Sequence, residues 1–364
     1  MSYEPARATS LHERGGDSRS FYAQKSDPKT VPILGCTCLC LFLYLFLYLL
    51  LHLLLYWLAN PTLLVAESAA TLFAAAFHIA NLPPSSHISI LTGFPCLTTV
   101  PPTETDGLNG ALALARSLIH LGFNVTILTD ECNEDVMFAG VAGIGEWSGG
   151  GRLTLESFPP EHKWGDDEAT RLIEIATSCC DHVIAIERPS PASDGNCYTM
   201  KGRVMNEDVA PLHQLIALAS EHNPEVKVTA IGDGGNELGM GKVYDKIIAS
   251  EIPDAKKIAA TVGCDWLIVA AVSNWGGYAL GAAAAVCRFA NTKKEERGAT
   301  SEEVVRTCLP SGEEETAILE RVVAAGARDG ILKVEGGVTV DGLSLEDNLK
   351  VLKEITGLAG SVVA

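Results

Sequence analysis

The chain has 364 residues, enough for one large domain or two ordinary ones, and 47% of them are hydrophobic, the proportion of a folded protein. Its formal net charge of −18 would repel nucleic-acid phosphates, so a nucleic-acid partner is not expected. The 11 cysteines, an odd number without a C-x-x-C pair, read as reduced thiols and argue against both a disulfide framework and a zinc cluster.

Residues 1–30 are polar, with five basic and four acidic side chains, and fit a mitochondrial transit peptide only in part. A hydrophobic helix is expected over 31–60. Its core, Leu34 to Leu58, is 25 residues long and apolar on every side, enough to cross a bilayer of about 30 Å. Tyr56 and Trp57 suit an interfacial position, so the segment reads as a membrane anchor or a targeting helix. An Ala-rich helical linker over 61–86 follows, broken at Pro83-Pro84-Ser85-Ser86, and a catalytic domain is placed over 87–364.

Within that domain, apolar runs alternate with helical patterns. Strands are predicted at Ile88 to Leu91, Val125 to Leu128, His182 to Ile186, Val226 to Ile231 and Leu267 to Val272. Helices are predicted at Leu108 to Leu121, Glu168 to Cys179, Pro211 to Glu221, Leu238 to Ile248 and Tyr278 to Phe289. Strands without polar alternation are covered on both faces. The fold class is therefore α/β, a mostly parallel sheet with helices on both faces in a Rossmann-like three-layer arrangement. Ligands of such sheets bind beyond the carboxyl ends of the strands, which directs attention to the loops there.

The loop after the first strand carries Glu104 and Asp106 beside Gly107. Asp106 suits a helix cap, and the pair suits a metal or an ammonium group. Asp130 ends the second strand. Arg188 follows the third and is placed either to grip a carboxylate bidentately or to pair with Glu187. A loop containing Asp194 comes next. The densest motif is Gly232-Asp233-Gly234-Gly235-Asn236-Glu237, ending near Lys242 and expected to open a helix. Its glycines can form an anion-binding nest, and Asp233, Asn236 and Glu237 offer oxygen ligands to Mg²⁺ or Mn²⁺. Neither G-x-x-x-x-G-K-[ST] nor G-x-G-x-x-G is present, so no nucleotide or organic cofactor is expected. After the last strand, Ser273 and Asn274 are placed to bind a carboxylate, and Trp275 to wall the pocket. Asp329 is within reach of the site, whereas Asp341 reads as a hairpin residue.

In order along the chain, T-G-F with P-P-T-E-T-D-G, E-R, D-G-N-C-Y-T-M-K-G, I-G-D-G-G-N-E-L-G-M-G-K-V, S-N-W-G-G-Y-A-L, and D-G with V-D-G resemble the D-glutamate cyclase family from about Ile88 to Gly357. The resemblance implies a hydro-lyase that converts D-glutamate to 5-oxo-D-proline with loss of water, and a mitochondrial location as in animal members. Members often carry an additional N-terminal domain, and the hydrophobic run stands in its place here.

The chemistry asks for a base at the amine, polarisation of the γ-carboxyl group and a route for water to leave. Asp233 or Glu237 is assigned as base or metal ligand, Glu104 and Asp106 as ammonium or metal contacts, and Arg188 and Lys242 as carboxylate anchors. Asp194, Gly234, Gly235, Asn236, Ser273, Asn274 and Trp275 form the substrate-binding set. Two other readings fit the same loops: a metal-dependent phosphotransferase or hydrolase acting on a small anionic metabolite, and a membrane-anchored amino-acid-binding module.

Overall fold

The structure, a computed structural model, describes residues 62–142, 150–178 and 180–361. The apolar run 34–58 lies outside them. Among the described residues no helix is long and apolar enough to cross a membrane.

Six strands form one parallel sheet: β1 (His87–Thr92), β2 (Asn124–Asp130), β3 (Leu153–Phe158), β4 (His182–Ile186), β5 (Lys227–Gly232) and β6 (Trp266–Val269). Their order is β3-β2-β1-β4-β5-β6, with Ile90 level with Ile127 on one side and Ile184 on the other. This is the doubly wound order, and its reversal point lies between β1 and β4. The central strands β1 and β4 are buried on both faces, Ser89 of β1 included. β3 was not expected. It is the edge strand, and its half-exposed Leu-Thr-Leu-Glu-Ser-Phe stretch lacks the solid apolar run that marks its neighbours.

The first helix, α1 (Thr62–Asn81), falls in the stretch read as a linker, yet it belongs to the domain. Ser68 Oγ accepts a hydrogen bond from Val269 N at 3.3 Å, and Thr71 Oγ1 donates to Leu267 O at 2.5 Å. Both bonds dock α1 on the β6 edge, and Leu72, Ala75, Ala76 and Ile79 are fully buried. Helices α2 (Leu108–His120), α3 (Glu134–Val141), α4 (Asp166–Ser178) and α5 (Gln214–His222) follow. Leu172 and Ala176 of α4 and Leu215 and Ala219 of α5 cover one sheet face, against Leu91, Leu128, Val183 and Val228.

The expected helix over Leu238 to Ile248 does not form as one element. Gly239 has φ +100, and a Cβ there would meet that of Ala230 at 2.0 Å. The chain instead makes a 3-10 turn, then α6 (Tyr244–Ile248) and α7 (Ala255–Ile258). The last strand also stops early, at Val269, because Ser273 already begins α8 (Ser273–Asn291). Three unanticipated helices complete the chain: α9 (Ser301–Cys308), α10 (Gly312–Ala324) and α11 (Leu345–Ser361), the last preceded by the hairpin β7 (Thr339–Val340) and β8 (Leu343–Ser344). Capping boxes at Thr300 and Ser311 start α9 and α10. Cys197, Cys264, Cys287 and Cys308 are reduced thiols that burial pushes up to about 12.

α8 is rich in glycine and alanine and buried along nearly its whole length. Small residues let α2 cross it closely: a Cβ on Gly277 would lie 2.6 Å from the Gly110 carbonyl oxygen. Gly277→Ala is therefore expected to cost about 1–3 kcal/mol through overpacking. Gly357→Ala in α11, where a Cβ meets nothing within 4 Å, should be neutral or stabilising. Thermal denaturation of the two variants checks this.

At the opposite end of the strands, His182 is fully buried, with Nε2 2.9 Å from Thr229 Oγ1 and its ring stacked on Trp266. Burial, reinforced by His78, pulls its pKa from 6.5 to about 3. The folded state thus refuses a proton that the unfolded chain accepts between these values. This stability is whole above pH 6.5 and falls on acidification by up to about 1.4 kcal/mol per unit. His182→Gln should flatten the acid limb of unfolding free energy against pH.

Candidate active site

A cleft of roughly 560 Å³ opens beyond the carboxyl ends of the strands, at the reversal point between β1 and β4. Six carboxylates line it: Glu104, Asp106, Glu187, Asp233, Glu237 and Asp341.

Asp106 holds the centre. It precedes α2, but its side chain reaches the start of α8: Oδ2 accepts from Ser273 N at 2.8 Å, and Oδ1 from Asn274 N and Gly107 N at 2.9 Å. A carboxylate at a helix N-terminus satisfies free N–H groups and meets the positive end of the dipole. It caps a helix more than 160 residues away, not the one it precedes. Burial pushes its pKa up to about 6 against those three backbone donors.

Glu187 leaves the end of β4 with φ +42, a left-handed conformation costly for a residue with a side chain. Ser273 Oγ donates to its Oε2 at 2.6 Å. A Cβ at position 107 would come within 2.4 Å of the Glu187 Cβ, and Gly107 itself has φ +83, so only glycine fits there. Glu237 is also fixed, accepting from Gly234 N at 2.7 Å and Gly235 N at 2.6 Å. The amides of the glycine nest are therefore already taken by the loop's own glutamate side chain, which counts against a phosphate cradle.

Asp341 sits with Gly342 in the tight turn joining β7 to β8; both have positive φ, as this hairpin type requires. It forms the expected hairpin and also lines the cleft, where burial, with repulsion from Asp106 and Asp329, raises its pKa to about 7. Asp329 does not line the cleft. It accepts from Ile331 N, Leu332 N and Gly342 N at 2.7–2.9 Å and so shapes the loop that presents Asp341. Glu104, Glu187 and Asp233 are pushed well above the ordinary carboxylate range, first by burial and then by mutual repulsion. Raised carboxyls favour the protonated form, which lowers the repulsion an acidic cleft offers to an anionic ligand.

Of the residues singled out in the sequence, Glu104, Asp106, Asp233, Gly234, Asn236 and Glu237 meet here. Ser273, Asn274 and Gly235 stand behind the lining and position its acids. Four others lie elsewhere. Arg188, 1% exposed, grips Asp130 bidentately at 2.5 and 2.8 Å and reaches Ala210 O, so its carboxylate partner is internal. Lys242 donates to the Asp265 carbonyl. Asp194 accepts from Tyr198 and Asn196 on an exposed loop. Trp275 is core, its indole N–H donating to Asn348 of α11 at 2.8 Å.

The cations that do line the cleft are Lys201, Arg203 and Lys333, to which no role was given from sequence. Glu187 was considered only as a partner for Arg188, although a carboxylate ending a strand had already drawn attention at Asp130. No local pattern marks Asp341 as more than a turn residue.

Oxygens of Asp106, Glu187 and Asp233 lie within 4.8 Å of one another, a hard donor set suited to a divalent cation. Glu237, expected beside Asp233 as a metal ligand, has both side-chain oxygens turned to its own loop's backbone amides.

A doubly wound sheet whose switch point opens on paired acids defines an α/β enzyme-type site. A family model described as D-glutamate cyclase-like, C-terminal, matches residues 62–356, and the chain belongs to this family. The human protein "D-glutamate cyclase, mitochondrial" is 33% identical over 276 residues, 70% of this chain. The chain spans 43% of the length of that relative.

The internal Asp130–Arg188 pair gives a direct test. Removing one partner strands a buried charge, so Arg188→Met should lose about 3–5 kcal/mol of stability. Denaturant unfolding measures that loss, and any weakening of ligand binding should follow it.

Proposed function

We propose that the chain cyclises D-glutamate to 5-oxo-D-proline with loss of water. The observation that carries this reading is a single cleft at the switch point lined by six carboxylates, where burial raises Asp341 to about 7 and lifts Glu104 well above the ordinary carboxylate range. Two acids held in different surroundings of one cleft divide base and acid roles between them.

Asp341, half ionised near neutrality, takes a proton from the substrate ammonium and frees the amine. The amine nitrogen attacks the γ-carboxyl carbon of the same molecule. Confinement in the cleft prepays the entropy of ring closure, worth up to about 7–11 kcal/mol in favourable cases. The nitrogen passes its second proton to one γ-carboxyl oxygen, and Glu104 protonates the resulting hydroxyl. The C–O bond breaks, water leaves, and the proton held by Asp341 then restores Glu104. Gly330 leaves room for Glu104, whose Oε1 would lie 2.0 Å from a Cβ at that position. Asp106, Glu187 and Asp233 would hold Mg²⁺ or Mn²⁺, which when bound supplies Lewis-acid polarisation of the γ-carboxyl group. The relative's name supports a mitochondrial location.

The full chain should release the lactam from D-glutamate, read by mass spectrometry with Mg²⁺ or Mn²⁺ supplied. Since the base works ionised, the rate should climb with pH through about 7. Asp341→Asn should abolish that rise and lower turnover by about 10²–10⁴-fold. No lactam from either glutamate enantiomer, with either cation, would overturn the proposal.

A further inference from the structure

Among the cations at the cleft, Lys333 stands apart. Lys201 and Arg203 are exposed on the loop around Gly202, whereas Lys333 is half-buried. Its backbone has φ +56, a left-handed conformation that a residue with a long side chain adopts at a cost, and such strain concentrates where ligands are gripped. The strain is imposed by its own loop, where Lys333 N donates to Asp329 O at 3.0 Å.

The side chain spans the mouth of the cleft. Nζ donates to Thr98 Oγ1 at 2.8 Å, joining the loop after β1 to the loop after α10. Thr98 is neutral. Six carboxylates line the same cleft, yet among the described residues Lys333 forms an ion pair with none of them. In a chain of net charge −18, an ammonium held at an acidic cleft without a carboxylate partner has its strongest interaction still to make.

We infer that Lys333 is the receptor for the α-carboxylate of the amino-acid substrate, exchanging its bond to Thr98 for a charge-assisted bond to the ligand. This rests on the cyclisation reading for the identity of the substrate, and it adds the substrate's orientation. The ammonium points down toward the acids of the floor, the α-carboxylate stays at the mouth on Lys333, and the γ-carboxyl group is left to fold back toward the amine. Lys333 is thus a specificity residue: it selects ligands with a free carboxylate beside the amine.

Calorimetric binding to the full chain tests this with two ligands, D-glutamate and its α-carboxamide. Lys333→Met should weaken D-glutamate by about 10- to 100-fold, the worth of one charge-assisted bond, and leave the α-carboxamide unchanged. Lys333→Arg should restore most of the loss, and Lys201→Met should change neither ligand by more than about threefold. Equal weakening of both ligands, or no weakening of D-glutamate, would refute the assignment. D-glutamate binding without lactam formation removes the cyclisation reading alone, because the two-ligand comparison still decides Lys333. Failure of D-glutamate to bind at all removes both.

Discussion

The contact on which the site depends is the clasp between the Asp106 carboxylate and the first turn of α8. Three backbone N–H groups converge on it, from Gly107, Ser273 and Asn274. One side chain thereby joins the loop after β1 to the segment after β6, across the middle of the sheet. The clasp is possible because α2 and α8 touch through Gly110 and Gly277, and Asn274 Oδ1 reinforces it by accepting from Gly110 N at 2.7 Å. Once the two helix ends are locked, Ser273 is in place to hold Glu187, and the acids from β1 and β4 face each other over the switch point.

A second, smaller clasp brings in the far end of the chain. Glu104 pairs through its backbone with Arg328, and Asp329 gathers the N–H groups of the loop that carries Asp341. Residues separated by more than two hundred positions thus share one void. Burying so many acids is costly unless they are protonated or bound to a cation, so concentrating them here sacrifices stability for chemistry. The raised carboxyls are protonated in the fold over a window where the unfolded chain has ionised them. Their contribution is therefore lost as pH rises, opposite in sense to that of His182.

The sheet was legible where the pattern was strong: β1, β2, β4 and β5 are short runs dominated by Ile, Val, Leu and Ala, and buried parallel strands leave few other readings. The edge strand β3 was not, because half of it faces water. The Gly232–Glu237 motif was correctly tied to a strand end, but its sequence does not reveal that Glu237 folds back onto the glycines' own amides. Arg188 and Lys242 have the chemistry of carboxylate anchors, and only packing decides that Arg188 spends its guanidinium on Asp130. Asp341 reads from sequence only as a hairpin residue and Lys333 not at all, because their place at the cleft comes from where a distant loop lands. Trp275 illustrates the same limit: its neighbours belong to the site, while its own ring faces the α11 side.

The self-occupied glycine loop has a further consequence. Glu237 is a covalently tethered competitor for its own anion-binding amides, present at an effective concentration of order millimolar or more whatever the surroundings contain. Free phosphate or nucleotide at ordinary cellular levels would have to displace a group that never diffuses away. The loop is thereby insulated from the cell's most abundant anions, and the choice of ligand passes to the mouth and floor of the cleft.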